Sequence, residues 1–140
     1  MSERDWNPRL SADGVHYCSP ACGGKYCRKE WYDAAVAQAD RLAEELGDGW
    51  EPHVWENLGW HWCARKGCCA VHPNVDKRSE FIPGEGWRIT NYTVYLNLPG
   101  KQIITRGQVA TDALGFAVQD ARTTMAQMQN ALAELLEETS

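Results

Sequence analysis

The chain has no long apolar run, no block of basic residues and no phosphate-cradling glycine loop, and each absence removes a class of function. Nowhere do eighteen apolar residues stand together, so no membrane-spanning helix is expected. Arg4, Asp5, Arg9 and Asp13 interrupt residues 1–14, which leaves no apolar stretch of signal-peptide length and points to an intracellular protein. Basic residues are scattered and the formal charge is −5, so there is no general attraction for polyanions. No Ser-His-Asp set, His-Glu-x-x-His motif, internal repeat or low-complexity segment is present.

What is present begins with cysteine. Six occur, at positions 18, 22, 27, 63, 68 and 69. A disulfide framework would suit an exported chain, whereas clustered cysteines in a reducing compartment read first as metal ligands. His16-Tyr-Cys18-Ser-Pro-Ala-Cys22-Gly-Gly-Lys-Tyr-Cys27 puts three thiolates and an imidazole within a dozen residues, with glycines and a proline letting the chain curl around an ion. Zinc takes four N or S ligands in a tetrahedron, so Cys18, Cys22, Cys27 and His16 are the expected ligands of a structural zinc, with His72, Cys68 or Cys69 as substitutes for His16. The bland alternative is three cysteines in an irregular arm. An open fourth position would instead permit a zinc-dependent hydrolase, but three thiolates make the ion a poor Lewis acid.

At 140 residues the chain has room for a single core. Residues 1–27 are turn-rich and read as an irregular zinc-binding arm, and 28–140 as one α+β domain. From about Arg28 to Leu46 apolar residues recur at helical spacing, and Gly47 supplies the stop. The middle third alternates aromatic and β-branched residues with polar ones, giving strands near Glu51–Glu56, Trp60–Arg65, Cys68–His72, Trp87–Leu98 and Gln102–Thr105, with a polar loop over Pro73–Gly86. From Ala110 to Glu137, Leu114, Val118, Ala121, Met125, Met128, Leu132 and Leu135 alternate steps of four and three, which predicts a long second helix. The expected architecture is helix, antiparallel meander of three to five strands, helix, with both helices on one sheet face. Double-stranded-RNA-binding domains share that order, which makes such a nucleic-acid-binding module one alternative function.

The segment Trp55-Glu56-Asn57-Leu58-Gly59-Trp60-His61-Trp62 gathers reactive and aromatic side chains around one turn. A catalytic reading pairs Glu56 with His61 as acid and base. The alternative has Trp60 and Trp62 lining one sheet face while Glu56 and His61 satisfy local hydrogen bonds. As a binding surface, Trp55, Glu56, Trp60, His61 and Trp62 fit better, because large aromatics are typical interface anchors. Cys63, Cys68 and Cys69 read as small packed side chains, since neighbours on a strand point to opposite faces.

The Cys18-Ser-Pro-Ala-Cys22 arm, Tyr32-Asp-Ala-Ala-Val-Ala-Gln-Ala and Gly49-Trp50-Glu-Pro-His-Val-Trp55-Glu-Asn-Leu-Gly-Trp60-His61 resemble a group of small phage and prophage proteins over about residues 16–62. The resemblance implies an accessory protein in the cytoplasm of a bacterial host, one that binds and inhibits a host or defence protein complex. The expected mode is non-catalytic, with zinc as a staple and an acidic, Trp-bearing surface meeting the partner. The second helix should overhang the first by roughly 13 Å. Its last turns, with Leu132, Leu135 and Leu136, are therefore expected to pack on a second copy or a partner, or under Trp6 and Leu10 of the arm.

Overall fold

A computed structural model describes residues 9–10, 17–18, 28–56 and 59–139. Residues 1–27 read as irregular, yet β1 (Arg9–Leu10) and β2 (Tyr17–Cys18) form a short antiparallel ladder that pairs Arg9 with Cys18. The helix α1 (Lys29–Leu46) follows and stops where expected. Gly47 takes φ +105°, a backbone that disfavours residues with a Cβ, and its N–H closes on the Ala43 carbonyl at 3.1 Å.

Five strands then run as one antiparallel meander: β3 (Glu51–Glu56), β4 (Trp60–Lys66), β5 (Cys69–Asp76), β6 (Arg88–Leu98) and β7 (Lys101–Gly107). The helix α2 (Ala110–Thr139) ends the fold. The architecture is α+β with an open sheet, as the change of period along the chain requires. The largest boundary difference from expectation is in β5, which passes through Pro73 to Asp76, so the loop starts at residue 77 rather than 73; the other strand ends differ by one or two residues. The register between β4 and β5 covers only Ala64–Lys66 against Cys69–Val71, and beyond it the two strands diverge. Pro73 lies just past that point, where its missing N–H breaks no β4 hydrogen bond.

Alternation decides which face each side chain takes. Val54, Trp60, Trp62, Ala64, Val71, Val94 and Ile103 are buried on the face that carries the helices. One cluster joins Leu42 and Ala43 of α1 to Ala110, Ala113 and Ala117 of α2 across Ala64, Val71 and Val94, so both helices lie on that face. Small residues on the helices meet large ones on the strands: Ala35 and Ala39 sit against Trp60 and Trp62, and Tyr32 meets the Trp60 ring edge-on at 4.8 Å.

For α2 the buried stripe differs from the expected one. The sheet takes Ala110, Ala113, Ala117, Ala121 and Thr124, whereas Val118, Met125, Met128, Leu132 and Leu135 of the four-three stripe are exposed. The cause is close approach at the helix start. A Cβ on Gly107 would stand 2.7 Å from the Ala113 amide nitrogen and 3.0 Å from its Cα, and Thr105 Oγ1 donates to the Ala113 carbonyl at 2.8 Å. Only small side chains fit a helix held that near β7.

Gly107→Ala should therefore destabilise the protein by about 1–3 kcal/mol, because the clash is with backbone that cannot step aside. Gly115 is a helical position with nothing within 4 Å of its would-be Cβ. Gly115→Ala should instead stabilise by roughly 0.5–1 kcal/mol. Urea denaturation of both variants checks the pair, and equal shifts of one sign would contradict this packing.

Candidate functional site

The sheet face away from the helices carries His53 and Trp55 on β3, His61, Cys63 and Arg65 on β4, His72 and Asn74 on β5, Asn91, Thr93 and Tyr95 on β6, and Ile104 and Arg106 on β7. Rings connect across four strands. Trp55 stacks on His61 with centroids 5.7 Å apart, meets His72 edge-on at 5.8 Å, and His72 meets Tyr95 edge-on at 5.1 Å. The Arg65 guanidinium carbon lies 5.9 Å from the Trp55 ring centre, within cation–π range.

These contacts explain a fully buried thiol on the face that neither helix covers. Cys63 is 0% exposed. His61 and Arg65 flank it on its own strand, and His53 is its partner across β3. A Trp55 ring within reach of His61, Arg65 and His72 is positioned to cover Cys63. The other described cysteines differ. Cys68 is exposed in the β4–β5 turn, and Cys69 is half-buried on the helix side, where burial, followed by the neighbouring Cys68, pushes its thiol up to about 11.

The histidine in the ring row is held toward its neutral form. Burial lowers the His72 pKa from its ordinary value, with the nearby positive charge of Arg65 and then His61 acting the same way. Beyond it, Asn74 Nδ2 donates to Asn91 Oδ1 at 2.7 Å and to Thr93 Oγ1 at 2.8 Å, which fixes the centre of the face. The divergence of β4 and β5 opens a cavity of about 260 Å³ whose lining includes Trp55, His61, Trp62, His72, Asn74 and Tyr95. A shallower hollow of about 360 Å³ adjoins it by Arg65, Ala70, His72, Tyr95 and Gln102. The buried Trp62 indole N–H meets no acceptor among the described residues, a cost on the order of 1–3 kcal/mol.

Charge is sorted between the two layers. The helix α1 carries five acids against Lys29 and Arg41, and α2 carries five against Arg122. Residues 51–107 hold seven basic residues and five acidic ones. On the ring-bearing face Arg65, Arg88 and Arg106 outnumber Glu51 and Asp76. Asp76 is itself engaged by Arg88 at 3.2 Å and Arg78 at 3.5 Å; the Arg78 amide and then Arg88 hold its carboxyl below the usual range.

The expected surface is thus divided by the fold. Trp55 and His61 come together on the open face, whereas Trp60 and Trp62 lie under α1 at 6% and 9% exposure, on the side the bland reading gave them. The Glu56 backbone ends β3, pairing with Trp60. Ten acids lie on the two helices, whereas Trp55 and His61 lie on the more basic face opposite. Sequence reasoning missed Tyr95 and Arg65, although both follow from the period-two pattern once the register is known. It also missed a second ring cluster, where Trp87 meets Trp31 at 5.6 Å and Phe81 at 4.9 Å and ties the 77–87 loop to α1. A cavity of about 510 Å³ beside that loop is lined by Gln38, Arg41, Glu80, Glu85, Trp87 and Arg88, charges of both signs facing one another.

Of the expected zinc ligands, His16, Cys22 and Cys27 lie outside the described residues, and Cys18 belongs to β2. Among the described residues no group of three or more His, Cys, Asp or Glu side chains is placed to hold a metal. The named substitutes diverge, with His72 on the open face, Cys69 on the helix side and Cys68 in a turn. Among the described residues no helix is long and apolar enough to cross a membrane. Comparison with protein-family models, with curated proteins and with solved structures gave no match.

In native protein treated with iodoacetamide, Cys68 should be labelled readily and Cys63 should resist. Trp55→Ala should bring Cys63 labelling toward that of Cys68 without unfolding, as read by peptide mass spectrometry and circular dichroism. Cys63 remaining unlabelled in the folded variant would show that Trp55 is not its cover.

Proposed function

We propose that this is a non-catalytic binding protein that engages a partner protein through the open sheet face, with Trp55, His61, His72 and Tyr95 as the recognition centre and Arg65 and Arg106 as its charged border. The observation that carries this reading is the connected row of half-buried rings across β3 to β6 on a face that neither helix covers. Aromatic and arginine side chains of this kind contribute large, rigid contact area and dominate protein interfaces. The excess of arginine over acid favours a partner whose docking surface is acidic. Following the resemblance to phage proteins, the partner is a host or defence complex, and occupying its surface is the mode of inhibition.

One observation favours a second reading, single-stranded nucleic acid. The negative net charge resides in the helix layer, so it does not oppose a polyanion at the opposite face, and rings beside arginine are how bases are stacked. The two are separable. Nuclease-treated bacterial lysate passed over immobilised protein should yield a retained protein that is lost with Arg65→Glu and with Trp55→Ala, while labelled single-stranded DNA and RNA give no polarisation change. The same retained proteins on wild type and both folded variants would sink the proposed surface. A salt-sensitive polarisation change abolished by Arg65→Glu would replace the protein partner with nucleic acid.

The arm is proposed to carry one structural zinc through Cys18, Cys22, Cys27 and His16, a reading supported by their spacing. Protein purified without added metal should contain close to one equivalent by elemental analysis, and chelation at neutral pH should release thiols to a colorimetric reagent. Less than about a tenth of an equivalent of metal, in fully reduced protein, would exclude it.

A further inference from the structure

The second half of α2 stands clear of the sheet. After Thr124, the last residue of its buried stripe, every residue through Glu137 is exposed, and 15 residues at 1.5 Å each extend roughly 22 Å. That length is apolar along one side: Met125 is 52% exposed, Met128 60%, Leu132 55%, Leu135 56% and Leu136 59%. We infer that this overhang is an interface between two copies of the chain, paired antiparallel about a two-fold axis near Gln129.

Three features of the helix select a second copy. First, the three-four spacing of Met125, Met128, Leu132 and Leu135 along the overhang has a period of 3.5 residues, the seam of a left-handed two-helix supercoil. A seam of one repeating pattern is complementary to itself, as a two-fold interface requires. Second, the seam is free of like-charge conflict. At about 100° per residue Glu134 and Glu137 fall on the opposite side of the helix, and the flanks include Gln129, Ala131 and Ala133, small or neutral side chains that let backbones approach. Third, the exposed apolar side chains of two such overhangs and their flanks amount to on the order of 1,000 Å², the lower bound for a specific interface.

Charge then sets the direction. The last turn of α2 has no basic residue, so a parallel pair would bring two acidic C-terminal ends together. An antiparallel pair centred near Gln129 brings each acidic end level with Arg122 of the other copy, the only basic side chain of α2. It also sends the two sheets to opposite ends of the shared helix pair.

Multi-angle light scattering of the full chain at about 50 µM should give the mass of two chains, and Leu132→Glu should give one chain with an unchanged circular dichroism spectrum. Under mild oxidation Gln129→Cys should link to its own copy, whereas Leu136→Cys, some 14 residues from its counterpart in this pairing, should not. Mass spectrometry of the linked peptides distinguishes these products from links made by native cysteines. A one-chain mass for wild type up to about 200 µM overturns the dimer and leaves a foreign helix as the occupant. A two-chain mass retained in Leu132→Glu overturns the seam, and a 136–136 link overturns the direction.

Discussion

The architecture depends on how near the helices can come to the sheet. Ala34, Ala35 and Ala39 of α1 and Ala110, Ala113 and Ala117 of α2 are all at most 2% exposed, and opposite them stand Trp60, Trp62, Val71, Val94 and Ile103. Bulk has been assigned to the strands and smallness to the helices. Gly107 marks the tightest point, where α2 starts against β7 with no room for a methyl group. A helix anchored there can present only its alanine stripe, so the large side chains on the neighbouring stripe remain outside the core. The exposed seam of α2 is a consequence of the same contact that builds the core.

Using tryptophan from β4 to fill the helix side has an effect on the other face. Two large side chains under α1 satisfy the volume requirement near β3 and β4, so Trp55 is not needed there, and alternation places it opposite. It meets His61 and His72, and through His72 it connects to Tyr95. The gap left as β4 and β5 diverge beyond Val71 lets those rings approach from neighbouring strands, and Pro73 suits a position with no β4 partner. The proposed binding face is thus set by backbone divergence as much as by the identities of the rings.

Much of this was legible in the sequence because period is a local property. The strand from Glu51 to Glu56 and the helix start at Ala110 match their expected positions, and Gly47 ends α1 by the left-handed conformation its lack of a side chain permits. What was not legible is non-local. Four-three spacing picks out Leu114, Val118, Met125 and Met128 by size, but a sheet that approaches to Gly107 selects by smallness, and nothing within α2 alone reveals that distance. Net charge misled in a similar way: −5 over the chain conceals a helix layer with ten acids against three basic residues and a sheet region, residues 51–107, with seven basic residues against five acids. Tyr95, forty positions from Trp55, joins the site only through the pairing of four strands. The proposed zinc arm was read from spacing, and its stapling role rests on that spacing.

The two proposed interfaces occupy different parts of the fold, and their relation has a functional consequence. The open face is a modest, half-buried surface built on side chains already packed against one another, so little conformational entropy is lost when a partner covers it. Its area is nevertheless limited by a five-stranded sheet. An antiparallel pair along α2 places two such faces on one rigid body, roughly one overhang apart, without using any residue of the face itself. A partner that displays its docking surface twice, as symmetric complexes do, would then be held by two weak contacts in place of one strong one. The second contact forms at the effective concentration the helix pair imposes, which multiplies occupancy without a larger recognition surface. Exposing an apolar seam on α2 and keeping the ring face compact are, on this view, complementary features of a protein too small to build a large interface on one copy.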